Sequence, residues 1–191
     1  MTNNDVLRRV RYALALSTAA MAEIFSIFGQ MVAQDNILHL LKKEEDVGVV
    51  ACPDALMEDF LSGLIIHKRG RKEGKPERPA QSQSAEPLTN NSILKKLRIA
   101  LILQEGDMLN ILQQAGNPVS KSELSALFRK AGHKNYKECG DQFLRNFLKG
   151  LALRYREAPA RYPLASKRPM LPLEAPTPLW ITSCLPSCCP A

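Results

Sequence analysis

The densest polar stretch of the chain is 132–142, GHKNYKECGDQ, which sets His133, Tyr136, Cys139 and Asp141 close together. Histidine titrates near neutral pH, and exposed polar loops concentrate ligand contacts. These four residues are therefore the candidates for a small-molecule or peptide contact. Catalysis would need a nucleophile beside a base, and a third group to orient that base. No phosphate-cradling or metal-binding motif accompanies the loop. A binding role is expected ahead of an enzyme, with no cofactor and no metal.

Cysteine offers a second possibility. Cys52 and Cys139 stand just before two expected helix starts, where the helix dipole can lower a thiol pKa. No His or second Cys lies at a helpful spacing, and a small buried residue at a helix start is the preferred account of both. Cys184, Cys188 and Cys189 crowd the C-terminus without the fourth ligand of a structural zinc site. The five cysteines suggest no disulfide framework, in keeping with a cytoplasmic protein.

Basic residues offer a third. Arg8, Arg9 and Arg11, and again Lys95, Lys96 and Arg98, cluster on predicted helices where phosphates could pair with them. The segment 107–130 has the layout of a helix-turn-helix, with a turn through Gly116, Asn117 and Pro118. Lys121, Ser122 and Ser125 would lead its second helix, while Arg129 and Lys130 could meet phosphates. A solvated helix face and an ordinary helix pair explain the same residues. Arg11 and Arg98 are matched Arg residues, which suggests bidentate geometry, and Asp54 and Asp141 are matched Asp residues. Two structural ion pairs are expected, Arg11–Asp54 and Arg98–Asp141.

The matching pairs have one source. A shift of 87 residues lays Thr2–Arg69 on Thr89–Arg156 without a gap, with 21 identities in 68 positions. Each copy reads as four helices, and no strand alternation is convincing. Asn3 or Asn4, and Asn90 or Asn91, are expected to cap the first helices. Leu7, Val10 and Leu14, like Leu94, Leu97 and Leu101, form one helical face behind them. Second helices at about 20–28 and 107–115 end at Gly29 and Gly116. A capping box at Ser120 and Glu123 opens a third helix to about Lys130. Asp35 or Gln34 does weaker service in the first copy. Fourth helices begin near Cys52-Pro53-Asp54 and Cys139-Gly140-Asp141 and run to Arg69 and Arg156. The fold class is all-α, a tandem duplication of a small four-helix domain.

The helices repeat TNNDVLRRVRYALAL as TNNSILKKLRIALIL, and CPDALMEDFLSGL as CGDQFLRNFLKGL. These openings, with LKKEEDVG in the first copy and LFRKAGHKNYKECGDQFLRNFLKGL in the second, resemble the YehS-like bacterial proteins of unknown function. That resemblance covers about Thr2–Arg156 apart from the linker. It implies a duplicated helical domain and no known activity, substrate or cofactor. The Pro-rich tail departs from its pattern.

The organisation expected is a helical repeat over 1–69, a flexible linker over 70–88, a second repeat over 89–156, and a disordered tail over 157–191. The tail holds eight of the thirteen prolines and the single Trp180. Of the 191 residues, 45% are apolar and 24% charged, as in folded globular proteins. The longest apolar run, Ile99–Leu103, is too short to cross a membrane, and the first residues do not form a signal peptide. The net charge of +7 is uneven. The first copy carries seven basic and nine acidic residues, net −2, and the second twelve and five, net +7. The function expected is a non-enzymatic binding or regulatory protein that contacts nucleic acid through the second copy. The alternatives are an adaptor for an acidic protein partner, with self-association a further option, and a small-ligand binder or enzyme using loop 132–142.

Overall fold

The computed structural model describes residues 1–70 and 88–157. Among them lie eight α-helices and no strand. The first copy contributes α1 (Asn3–Ala13), α2 (Thr18–Ser26), α3 (Gln34–Leu40) and α4 (Asp54–Arg69). The second contributes α5 (Asn90–Ala100), α6 (Glu105–Gln114), α7 (Lys121–Leu127) and α8 (Asp141–Ala152). A π-helical segment, Leu153–Glu157, continues α8. Most of the expected linker, and the tail with Trp180, Cys184, Cys188 and Cys189, lie outside the described residues.

Local chemistry places these helices, with two corrections. The first helices are capped by Thr2 and Thr89, whose side chains accept the N–H groups of Asp5 and Ser92. The asparagines expected as caps sit inside the helices and have another task. The Ser120 capping box opens α7 as expected, but the helix closes at Leu127 instead of Lys130. Its counterpart α3 starts from Ala33 with no side-chain cap. Behind α1 and α5 the chain reverses through Ala15 (φ 51°) and Ile102 (φ 53°), both in the left-handed region. There the Leu16 N–H donates to the Arg11 carbonyl at 3.0 Å, and the Leu103 N–H to that of Arg98 at 3.0 Å. This is a left-handed helix stop built without glycine.

Helix pairing crosses between the copies. α1 packs along α8 and α4 along α5, and both contacts exceed those of α1 with α4 or α5 with α8 inside a copy. Both crossed pairs are parallel. The Met1 amino group meets Asp141 at the start of α8, and the Leu88 N–H meets Asp54 at the start of α4 at 3.2 Å. One to two turns further on, Lys96 of α5 reaches Glu58 and Ser62 of α4. Met1 and Leu88 are 87 positions apart, as are Asp54 and Asp141, so an approximate two-fold axis relates the copies.

Hydrophobic residues of both copies form one cluster, with Phe25, Phe60 and Phe147 fully buried. The two copies are thus halves of one compact unit, not separate bodies on a tether. Within each half, the fourth helix crosses the second over a glycine. A Cβ on Gly63 would lie 2.3 Å from the Ile24 carbonyl oxygen, and one on Gly150 would lie 2.1 Å from that of Ile111. No side chain fits at either crossing.

Candidate functional site

The repeated Asn-Asn pair holds the loop that enters each fourth helix. Asn91 is buried; its amide donates to the carbonyls of Leu127 at 2.8 Å and Lys137 at 3.0 Å, and its oxygen accepts the Cys139 N–H at 2.8 Å. Asn4 makes the matching bonds to Leu40, Val50 and Cys52. Asn90 donates to the Cys139 carbonyl at 3.0 Å and to the Asp141 carboxylate at 2.8 Å, as Asn3 does to Cys52 and Asp54. A backbone that is neither helix nor strand must satisfy its polar groups somewhere, and these two side chains do so. The polar loop 132–142 is anchored at its far end in this way.

The anchor does not bring the four loop residues together. His133 is exposed; its Nδ1 accepts the Asn135 N–H at 3.2 Å and lies 3.4 Å from an Arg129 nitrogen. Tyr136 is half-buried and donates its backbone N–H to the His133 carbonyl at 2.8 Å. Cys139 is buried in the hydrophobic cluster, and its thiol donates to the Gly140 carbonyl at 3.8 Å. Burial, reinforced by the Asp141 charge, pushes that thiol up to about 12. Cys52, beside Asp54, behaves alike. Desolvation thus outweighs the helix dipole, and both thiols are the small buried residues at a helix start that the sequence favoured, not activated nucleophiles. The Asp141 carboxyl is held below its ordinary value by hydrogen bonds from the Met1 amino group and Asn90. A recess of about 300 Å³ beside α7 is walled by Val119, Glu123, Leu127, Lys137 and Phe143 among others, and excludes His133, Tyr136 and Asp141. Among the described residues, no group of three or more His, Cys, Asp or Glu side chains could hold a metal ion.

The two expected Arg–Asp ion pairs do not form. Arg11 turns its Nε to the Leu16 carbonyl at 3.3 Å, and Arg98 does the same to Leu103 at 3.3 Å. The Arg98 guanidinium also lies 4.7 Å above the centre of the Phe128 ring. Each arginine therefore locks the left-handed stop of its own helix. Asp54 and Asp141 serve the Asn-Asn anchor and the other copy instead. The identity of both residue types between copies is real, but it records two separate structural tasks.

The basic candidates divide in two. Lys96 is half-buried against α4, where Glu58 and Ser62 take its ammonium group, and Arg98 is held in its turn. Of that cluster only Lys95 is exposed. Along α7 and the loop after it, Lys121, Lys130, Lys134 and Lys137 are exposed, and Arg129 is half-buried beside His133. Lys137 approaches Glu123 at 3.7 Å. α7 buries Leu124 and Leu127 and turns Lys121, Ser122 and Ser125 outward. The corresponding surface of the first copy is different. Leu38, Val47 and Val50 are exposed where the second copy has Ser125, Lys134 and Lys137, and Glu44, Glu45 and Asp46 lie among them. Lys134 and Lys137 were not singled out from sequence, although superposing the copies exposes both exchanges.

A family of proteins of unknown function, DUF1456, matches the chain twice, over residues 3–70 and 90–157. The chain is also similar to the uncharacterized protein YehS of Escherichia coli (strain K12), 42% identical over 154 residues. That alignment covers 81% of this chain and 96% of the relative. No solved structure matches the chain.

Proposed function

The chain belongs to the DUF1456 family, whose function is unknown, and we propose that it is a non-enzymatic protein that binds nucleic acid through α7 and the loop after it. One observation carries this reading. Lys121, Lys134 and Lys137 of the second copy stand where the first copy has Gln34, Val47 and Val50 on the same backbone, with Glu44, Glu45 and Asp46 beside them, and only the positions of Arg129 and Lys130 are basic in both. A charge difference that the fold does not require marks a surface with a task of its own. Lysines spread over a short helix and loop suit phosphate contacts, which position a protein on a strand without reading its sequence. The two buried, unactivated thiols and the dispersed loop residues support binding over catalysis.

A salt-titrated binding assay with labelled duplex DNA and single-stranded RNA tests this. The affinity is expected to fall steeply with salt, since each lysine that meets a phosphate releases counterions. Exchange of Lys121, Lys130 and Lys134 for Glu together is expected to abolish binding while the circular dichroism spectrum stays unchanged. Lys96 and Arg98 are unsuitable for this test because their loss disturbs packing. No affinity at low salt overturns the proposal, as does full affinity in the triple variant.

A further inference from the structure

A second recess, of about 470 Å³, opens between α1 and α8. Tyr12, Leu148 and Ala152 give it an apolar wall, and four cations stand around it: Arg8, Arg9, Lys43 and Lys149. Asp5 is the single acidic residue in its lining. We propose that this recess binds a small phosphorylated ligand, with the phosphate on the four cations and the ligand's body against Tyr12 and Leu148.

The two arginines are already set in place. Asp5 accepts from Arg8 at 2.9 Å and from Arg9 at 3.1 Å, and Arg8 also donates to the Lys42 carbonyl at 3.2 Å. A guanidinium fixed in advance loses little freedom when a phosphate arrives. Burial alone would raise the Asp5 carboxyl, but the hydrogen bonds and charges of Arg8 and Arg9 outweigh it and hold the group below its ordinary value. Asp5 therefore stays ionised and orients the pair. The ammonium groups of Lys43 and Lys149 meet no acid among the described residues. Tyr12 is 57% exposed, and its ring is covered by the Arg156 guanidinium at 4.2 Å. Arg156 also donates to the Tyr12 carbonyl at 2.7 Å.

The approximate two-fold axis supplies an internal control. Across it, the α4–α5 contact carries Lys96 where the recess has Arg9, Ser62 where it has Lys149, and Ile99 where it has Tyr12. Glu58 stands where the second copy has Arg145. On that side Lys96 closes onto Glu58 and Ser62. Lys95 and Lys130 match Arg8 and Lys43, so Lys149 is the one recess cation that the other contact lacks, and α1–α8 packing does not call for it. Several cations held together without enough acid are best satisfied by a multiply charged anion, through charge-assisted hydrogen bonds. The volume falls within the range of small-molecule pockets.

Titration of the full chain with sodium pyrophosphate and with adenosine 5′-diphosphate, followed by calorimetry and amide NMR, tests the site. Both probes are expected to bind, with shifts centred on residues 5–12, Lys43 and 148–152. Lys149→Ser, which installs the residue of the other copy, and Lys43→Ser are each expected to weaken binding about tenfold or more, the scale of a hydrogen bond to a charged group. Neither change should alter the melting temperature, and Lys121→Ser should leave the affinity for both probes intact. Absence of binding, unchanged affinity in both lysine variants, or equal affinity for sulfate overturns the proposal. Displacement of the diphosphate by a short DNA duplex, lost in Lys149→Ser, would assign the recess to nucleic acid instead.

Discussion

The side-chain oxygen of Asn91 accepts the Cys139 backbone N–H at 2.8 Å, across 48 residues of chain. With the carbonyls of Leu127 and Lys137 on its nitrogen, one amide closes three backbone groups that no helix can serve. Asn91→Ala removes all three partners at once. Each buried backbone group left unsatisfied costs about 1–3 kcal/mol, so the loss in urea unfolding should be at least about 3 kcal/mol. Asn110→Ala, on an exposed face, should stay within about 0.5 kcal/mol. Equal stability of the two variants would contradict the anchor.

The crossing of α8 over α6 leaves no space for a methyl group at Gly150, because the nearest obstacle is the Ile111 backbone. Gly150→Ala should force the helices apart and destabilise the chain by about 1–3 kcal/mol. Gly106→Ala meets nothing within 4 Å and should gain about 0.5–1 kcal/mol from the stiffer unfolded chain. Opposite shifts of melting temperature in these two alanines are the expected result.

Ile102 holds a left-handed backbone conformation while its side chain is 61% exposed. That conformation costs an L-residue about 1–2 kcal/mol, and little burial offsets it. Ile102→Gly should therefore stabilise the chain by up to about 1 kcal/mol, after glycine's entropy in the unfolded state is deducted. A lower denaturation midpoint in Ile102→Gly would show that the isoleucine is held by something other than the turn.

Cys52 and Cys139 should resist alkylation. With both thiols pushed up to about 12 and buried, iodoacetamide labelling of their peptides should stay slow and flat between pH 7 and 9. An ordinary exposed thiol, with a pKa near 8.5, would speed up across that range. Rapid, pH-dependent labelling at Cys139, read by peptide mass spectrometry, would return it to the list of nucleophiles.

The helices, the duplication and the stops of α2, α4 and α6 were legible because they depend on neighbours in sequence. Periodicity, the Ser120 capping box, Gly29 and Gly116 are all local signals. The crossed pairing was not legible, since nothing within one copy states whether its apolar stripe faces its own fourth helix or the other's. The asparagines illustrate the same limit. Asn is a good cap by propensity, yet Thr2 and Thr89 precede it and take that place, which frees Asn4 and Asn91 for contacts 36 to 48 residues away. The identity of Arg11 with Arg98 was visible, but its partner was a backbone carbonyl five residues on, which has no sequence signature. Helical spacing already puts Arg8, Arg9 and Tyr12 together on α1, but Lys43 joins them from the segment after α3 and Lys149 only through the α1–α8 contact.

The parallel pairing of α1 with α8 also sets a timetable. During synthesis the first copy leaves the ribosome complete, yet the partners of α1 and α4 have not been made. At about 5–20 residues per second, the interval between finishing α4 and finishing α8 lasts roughly 4–17 s. Throughout it, two helix faces destined for the shared core stay open to water. The final docking closes contacts some 140 residues apart, and such long closures are slow. Nascent chains on one messenger are thus neighbours with mutually fitting halves, and each chain's own second copy must arrive before a neighbour's does.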